Sequence, residues 1–155
     1  MSKIIKLTLC ICIPLLIGGI GGFATIDEVK GWYLTLHKPS FNPPNYLFGP
    51  VWTSLYVLMG ISFYLILTAE NKKHIKKAWG IYGVQLLLNL TWSFLFFKFH
   101  WVGLAFIEVL MMWISILFMI IIFYRIDKKA AYLQIPYLIW VSFASLLNGA
   151  IWALN

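Results

Sequence analysis

From Ala130 to Asn155 the chain reads AAYLQIPYLIWVSFASLLNGAIWALN, 26 residues without a charge. About 20 consecutive apolar residues suffice for a helix to cross the hydrocarbon core of a bilayer, at about 1.5 Å of rise per residue. Working outward, Phe99–Tyr124 is broken only by Glu108, and Ala78–Phe97, Pro39–Ala69 and Leu7–Ile26 carry no charge at all. The spacing predicts five transmembrane helices near 5–24, 47–69, 78–97, 102–124 and 131–154, with a loop at 25–46. The expected fold is an all-α integral membrane protein, a five-helix bundle forming one domain over 1–155.

Composition agrees. Of 155 residues, 62% are hydrophobic and 11% charged, against roughly 45–50% and about 25% in a soluble domain. The net charge of +7 does not point to nucleic acid, which calls for basic residues along a folded face; here the charges sit at the ends of apolar runs. Cys10-x-Cys12 has no second pair and no nearby His, so both read as small apolar fillers rather than as a disulfide or zinc site. Lys3 and Lys6 before an apolar run resemble a signal peptide, yet the run exceeds the usual 7–15 or so residues of an h-region and Gly22-Phe23-Ala24 is a weak cleavage site. A retained helix is expected. Its Gly18-x-x-x-Gly22 suits close helix contact in lipid.

Lys and Arg residues orient the bundle. Nine (Lys3, Lys6, Lys72, Lys73, Lys76, Lys77, Arg125, Lys128, Lys129) fall on the side of the N-terminus and three (Lys30, Lys38, Lys98) on the other. The positive-inside rule places the N-terminus in the cytoplasm and the first loop and C-terminus outside. In that loop, Thr25-x-x-Glu28 matches a capping box, and Trp32, Tyr33 and Leu36 recur at helical spacing. A short amphipathic helix is expected there, ended by Lys38-Pro39. Pro39, Pro43 and Pro44 then make a stiff path into the second helix.

Polar residues within the spans must find partners or line a cavity. Gln85, Asn89 and Trp92 share one helix face, Trp140, Ala144 and Asn148 another with Leu147 beside it, and Trp52 and Tyr56 a third. All combine aromatic surface with amide or hydroxyl groups. They populate the outer and middle depths, so converging faces would form a pocket open towards the first loop. Trp113 reads as packing. Glu108, the sole acid within a span, reads as a protonated or water-contacting carboxyl.

Trp32-Tyr33-x-x-Leu36-x-Lys38-Pro39-Ser40-Phe41-x-Pro43-Pro44, followed by Phe48-Gly49-Pro50-Val51-Trp52-x-x-Leu55-Tyr56-x-x-Met59-Gly60, resembles the first loop and second helix of the TspO/MBR family of translocator and tryptophan-rich sensory proteins. Tyr82-x-x-Gln85-Leu86-x-x-Asn89-x-x-Trp92 and Pro136-Tyr137-Leu138-x-Trp140-x-x-Phe143-Ala144-x-x-Leu147-Asn148 resemble its third and fifth helices. The resemblance implies a bundle, often dimeric, whose cavity under the first loop binds porphyrins such as protoporphyrin IX. Trp52, Asn89, Trp92, Trp140, Ala144, Leu147 and Asn148 match its pocket positions, and Tyr33, Pro43 and Pro44 its lid. Asn amides, with Lys or His at the rim, would meet porphyrin propionates.

No cofactor is implied as a requirement, and no His lies within a helix to ligate haem iron, so a free-base porphyrin is the expected ligand. The resemblance also implies a homodimer through small residues of the third helix, here Ala78, Gly80 and Gly83. The cholesterol motif of eukaryotic members is missing, since no basic residue follows Leu147 through Asn155; the expected location is a bacterial cell membrane. Two other activities stand beside sensing or scavenging. Light- and oxygen-dependent porphyrin breakdown would use Trp52 and Trp140, although no acid–base pair, nucleophile or metal site is visible. Transport would call for inverted repeats and midplane charge, and no convincing repeat is present.

Overall fold

Ser2 opens the first helix by accepting a hydrogen bond from the Ile5 N–H at 3.3 Å. The computed structural model describes residues 1–155, and every regular element in it is helical. Helix α1 spans Lys3–Lys30, α2 is a single turn at Trp32–Thr35, and a 3-10 turn at Asn45–Leu47 leads into α3, Phe48–Thr68. Then come α4 (Ile75–Ser93), a π turn (Phe94–Lys98), α5 (Val102–Tyr124), α6 (Lys128–Leu133) and α7 (Ile135–Leu154). Five helical segments are long and apolar enough to cross a membrane, α6 and α7 together forming the fifth. The protein is an integral membrane bundle.

Three departures from the sequence reading have a local reason; the third span also begins early, at Ile75. The first helix does not stop at 24. The Thr25 hydroxyl bonds back to the Gly21 carbonyl at 2.7 Å instead of capping a new helix, and α1 runs on until Gly31 departs from helical angles (φ −111°, ψ −91°). The expected amphipathic helix therefore shrinks to α2, confined between Gly31 and the extended Leu36. The fifth span starts before 131, because Asp127 caps α6 by accepting from the Ala130 N–H at 2.9 Å. It is interrupted at Gln134, two residues before Pro136, which has no N–H to continue the ladder.

The spans form a ring in which α1 lies between α3 and α4, α5 between α4 and α7, and α6 closes against α3. One end carries the 31–47 loop, residues 99–101 and Asn155; here it is called the lid end. At the other, basic end the two short connections meet, with Asn71 Nδ2 donating to the Arg125 carbonyl at 3.0 Å.

The basic half is close-packed. Phe63 stacks on Tyr82 with ring centroids 4.0 Å apart, Phe123 flanks both, and the Ser62 hydroxyl ties α3 to the Ala130 carbonyl at 2.7 Å. Pro14, inside α1, leaves the Cys10 carbonyl without its usual helical donor. Gly60 of α3 fills the spot: a Cβ there would lie 2.7 Å from Cys10 O and would collide with the backbone of Ile11. Gly60→Val is expected to lower stability by about 1–3 kcal/mol through overpacking. Leu146→Ala, at a position 69% exposed, is expected to shift it by no more than ~0.5 kcal/mol. Thermal unfolding in detergent compares the two.

Candidate functional site

Towards the lid end the helices separate around a cavity of about 440 Å³. Asn89 builds its floor. Its Oδ1 accepts from the Tyr56 hydroxyl of α3 at 2.7 Å, and its Nδ2 donates to the Tyr137 hydroxyl of α7 at 3.1 Å. One carboxamide thus joins three spans. One turn nearer the lid, the Trp92 indole N–H donates to Asn148 Oδ1 at 3.0 Å, while Asn148 Nδ2 donates to the Val102 carbonyl at 3.0 Å. That second bond adds a donor to a carbonyl in the first turn of α5.

The walls are aromatic. Trp52 stacks on Tyr56 with centroids 5.6 Å apart and meets the edge of Tyr137 at 6.2 Å. Trp92 stacks on Phe96 at 5.4 Å, and Trp140 approaches Phe48 at 6.0 Å. The π turn matters here: one extra residue in the turn, with the Phe99 N–H reaching the Phe94 carbonyl at 2.9 Å, lets the adjacent Phe96 and Phe97 both line the chamber. Such turns recur at functional sites.

Tyr33 of α2 is the ceiling. It is buried among Phe96, Leu147 and Ile151, and its hydroxyl donates to Asn42 Oδ1 at 2.9 Å. Burial pushes the Tyr33 phenol up to about 12, with the Asn42 contact pulling the other way. Two further ties hold this lid. The Asn155 amide accepts from the His37 N–H and donates to its carbonyl, at 3.0 and 2.8 Å. His100, left-handed at φ 58°, stacks on Trp32 with centroids 3.9 Å apart and meets Glu28 at 2.9 Å.

The sequence-predicted residues divide. Tyr33, Trp52, Tyr56, Asn89, Trp92, Trp140, Ala144, Leu147 and Asn148 all line the cavity. Gln85 does not; it is fully buried in the core one turn below Asn89, with neither amide atom partnered. Pro43 and Pro44 also lie off the lining: the Pro44 carbonyl accepts from the Leu47 N–H at 3.0 Å to start the 3-10 turn, so they form the strap at the rim.

Both amides expected to face a ligand are engaged by protein groups. Trp140 Nε1 is buried without a partner, while the Asn45 amide, also on the lining, is exposed. No charged side chain lines the chamber, and at the rim the Lys38 ammonium rests 4.8 Å over the Tyr33 ring. Glu108 is not water-contacting: it is buried, with Oε1 accepting from the Thr91 hydroxyl at 2.7 Å. Trp113 does more than pack, since its indole donates to Ser142 at 2.7 Å. Sequence reasoning missed the lid ties of Asn42, His100 and Asn155, and the glycine wall of α1.

A five-span membrane bundle with an uncharged aromatic chamber beneath a tethered loop is the class of protein these features define. The chain belongs to the TspO/MBR family, whose profile matches residues 10–153. It is 40% identical to the tryptophan-rich protein TspO of Chlorobaculum tepidum, over 99% of this chain and 98% of that one. It is also 40% identical to the protein of the same name from Archaeoglobus fulgidus, over 99% of each. With the human translocator protein the identity is 35%, over 88% of this chain and 82% of the other.

Tyr56→Phe strands Asn89 Oδ1 and is expected to cost about 1–3 kcal/mol, read by equilibrium unfolding in mixed micelles. The raised Tyr33 phenol gives a second expectation. An unfolded tyrosine ionises near 10 while Tyr33 holds its proton to about 12, so its stabilisation is complete below pH 10 and lost as pH climbs towards 12. Tyr33→Phe should flatten that part of the stability profile relative to the parent.

Proposed function

We propose that this protein binds a tetrapyrrole of the free-base porphyrin type within the lid-end cavity, in a sensory or scavenging role in the membrane. The names of its relatives, translocator protein and tryptophan-rich sensory protein, support a membrane sensory or binding role. The observation that carries the finer reading is the convergence of three indoles, Trp52, Trp92 and Trp140, from three different spans on one uncharged chamber. A tetrapyrrole is a broad, flat aromatic, and indole faces suit its surface. The volume falls within the roughly 300–1,000 Å³ of small-molecule pockets.

With Asn89 and Asn148 engaged, ring faces are read by the indoles. The propionates are left to the rim, where Lys38 sits. The nine basic residues at the opposite end favour a cytoplasmic N-terminus, which turns the lid outward. A homodimer would use the exposed Gly80 and Gly83 of α4. Ala78 is withdrawn from that set, because it is completely buried in the core.

Titrating protoporphyrin IX into purified protein is expected to quench tryptophan fluorescence saturably at micromolar ligand. Absence of saturable quenching would overturn the proposal. Trp140→Ala removes a stacking face worth about 0.5–1.5 kcal/mol or more and is expected to weaken binding severalfold to about tenfold.

A further inference from the structure

The cavity is walled by α3, α4 and α7, but on the α1 side its wall is incomplete. Along the basic half α1 and α3 are zipped together: Gly60 lies on the Ile11 backbone, and Gly18 lies against the Tyr56 ring so closely that a Cβ there would overlap it. Gly19 and Gly22 of α1 and Gly49 of α3 have open space where a side chain would project. All three are exposed, and all three line the chamber. Ile26 of α1 and Thr53 of α3, also on the lining, are exposed as well, so the accessible part of the chamber's wall lies at the α1–α3 seam.

Depth places this gap in lipid. At about 1.5 Å per residue, Gly19 and Gly22 lie roughly 4 and 8 Å from the midpoint of α1, inside a hydrocarbon half-thickness of about 15 Å. The edges of the gap are chemically quiet. The Thr53 hydroxyl bonds to the Gly49 carbonyl at 2.8 Å and the Thr25 hydroxyl to the Gly21 carbonyl at 2.7 Å, so neither offers a free polar group to the opening. The lid end, by contrast, is fastened by the Tyr33–Asn42, Asn155–His37 and His100–Glu28 contacts.

We propose that the opening between α1 and α3, beyond the Gly18–Tyr56 contact, is a lateral portal through which the cavity exchanges hydrophobic molecules directly with the acyl-chain region of the bilayer. The identity of the ligand rests on the porphyrin reading; the portal does not. Molecules dissolved in the membrane pass between Gly22 and Gly49 while the lid stays tied. Glycine on both edges keeps the opening clear, and a bulky side chain at either would project into it.

The test uses the full chain in phosphatidylcholine vesicles containing a fatty acid with a mid-chain diazirine, illuminated and mapped residue by residue by mass spectrometry. The parent protein is expected to carry label on cavity residues such as Leu147 as well as on lipid-facing Leu146. In Gly22→Leu the cavity label should fall at least fivefold, with Leu146 labelling as the internal reference. Gly49→Leu, from the opposite edge, repeats the test if the first variant folds poorly. No cavity label in the parent, or equal cavity label in both variants, would overturn the portal. Stopped-flow binding of protoporphyrin IX in the same vesicles adds a second readout. Lost contacts change chiefly the off-rate, whereas a blocked portal should lower the on-rate at least tenfold. Should porphyrin fail to bind while cavity photolabelling persists, the ligand assignment falls and the portal stands.

Discussion

The carboxamide of Asn89 is the point on which the bundle turns. A five-helix protein that keeps a chamber inside itself gives up part of the side-chain packing that drives helix association in lipid. Some other attraction must hold the helices at the chamber's edge, and it has to be internal because no water is at hand to satisfy stray polar groups. Asn89 supplies it by accepting from α3 and donating to α7 at once. Trp92, Asn148 and the Val102 carbonyl repeat the arrangement nearer the lid. The chamber is therefore bounded by hydrogen-bonded struts where most of a membrane bundle is bounded by packed methyl groups.

The two halves of the molecule share the work unevenly. The basic half is a dry core in which Met59, Ile66, Ile116 and Met119 are completely buried, the aromatic rings stack face to face, and glycine allows backbone contact. It fixes the splay of the helices. The lid half inherits that splay as empty space and lines it with rings, the π turn supplying two of them from adjacent positions. The lid itself is tied to α1, the α4–α5 connection and the end of α7, so its position depends on several spans.

Charge-free runs bounded by Lys and Arg made the five spans legible, and Val102–Tyr124 matches its expectation at both ends. Boundaries failed where one pattern serves two structures. Thr25-x-x-Glu28 reads as a capping box, yet a threonine hydroxyl in lipid is equally satisfied by its own helix. Nine of the twelve predicted site residues line the cavity, eight of them on the faces that helical spacing picked out, because an amide-and-indole face has few places to go in a bilayer. That spacing placed Gln85 on the same face as Asn89 without revealing that the chamber ends one turn higher. Nor does a sequence disclose whether an amide points its hydrogen-bonding capacity at a ligand or at a neighbouring helix. Gly22 looked like a helix-packing residue, yet nothing stands where its side chain would project, and it lines the chamber.

A chamber whose two inner amides, Asn89 and Asn148, are already engaged and whose lining lacks charge has little means of checking functional groups. What it can check is thickness and ring area, through the spacing of its tryptophans. For the flat ring proposed as its ligand, selectivity of that kind would be geometric and permissive: planar molecules with unrelated peripheral substituents would compete on nearly equal terms, and a puckered or bulky isomer of any of them would be turned away.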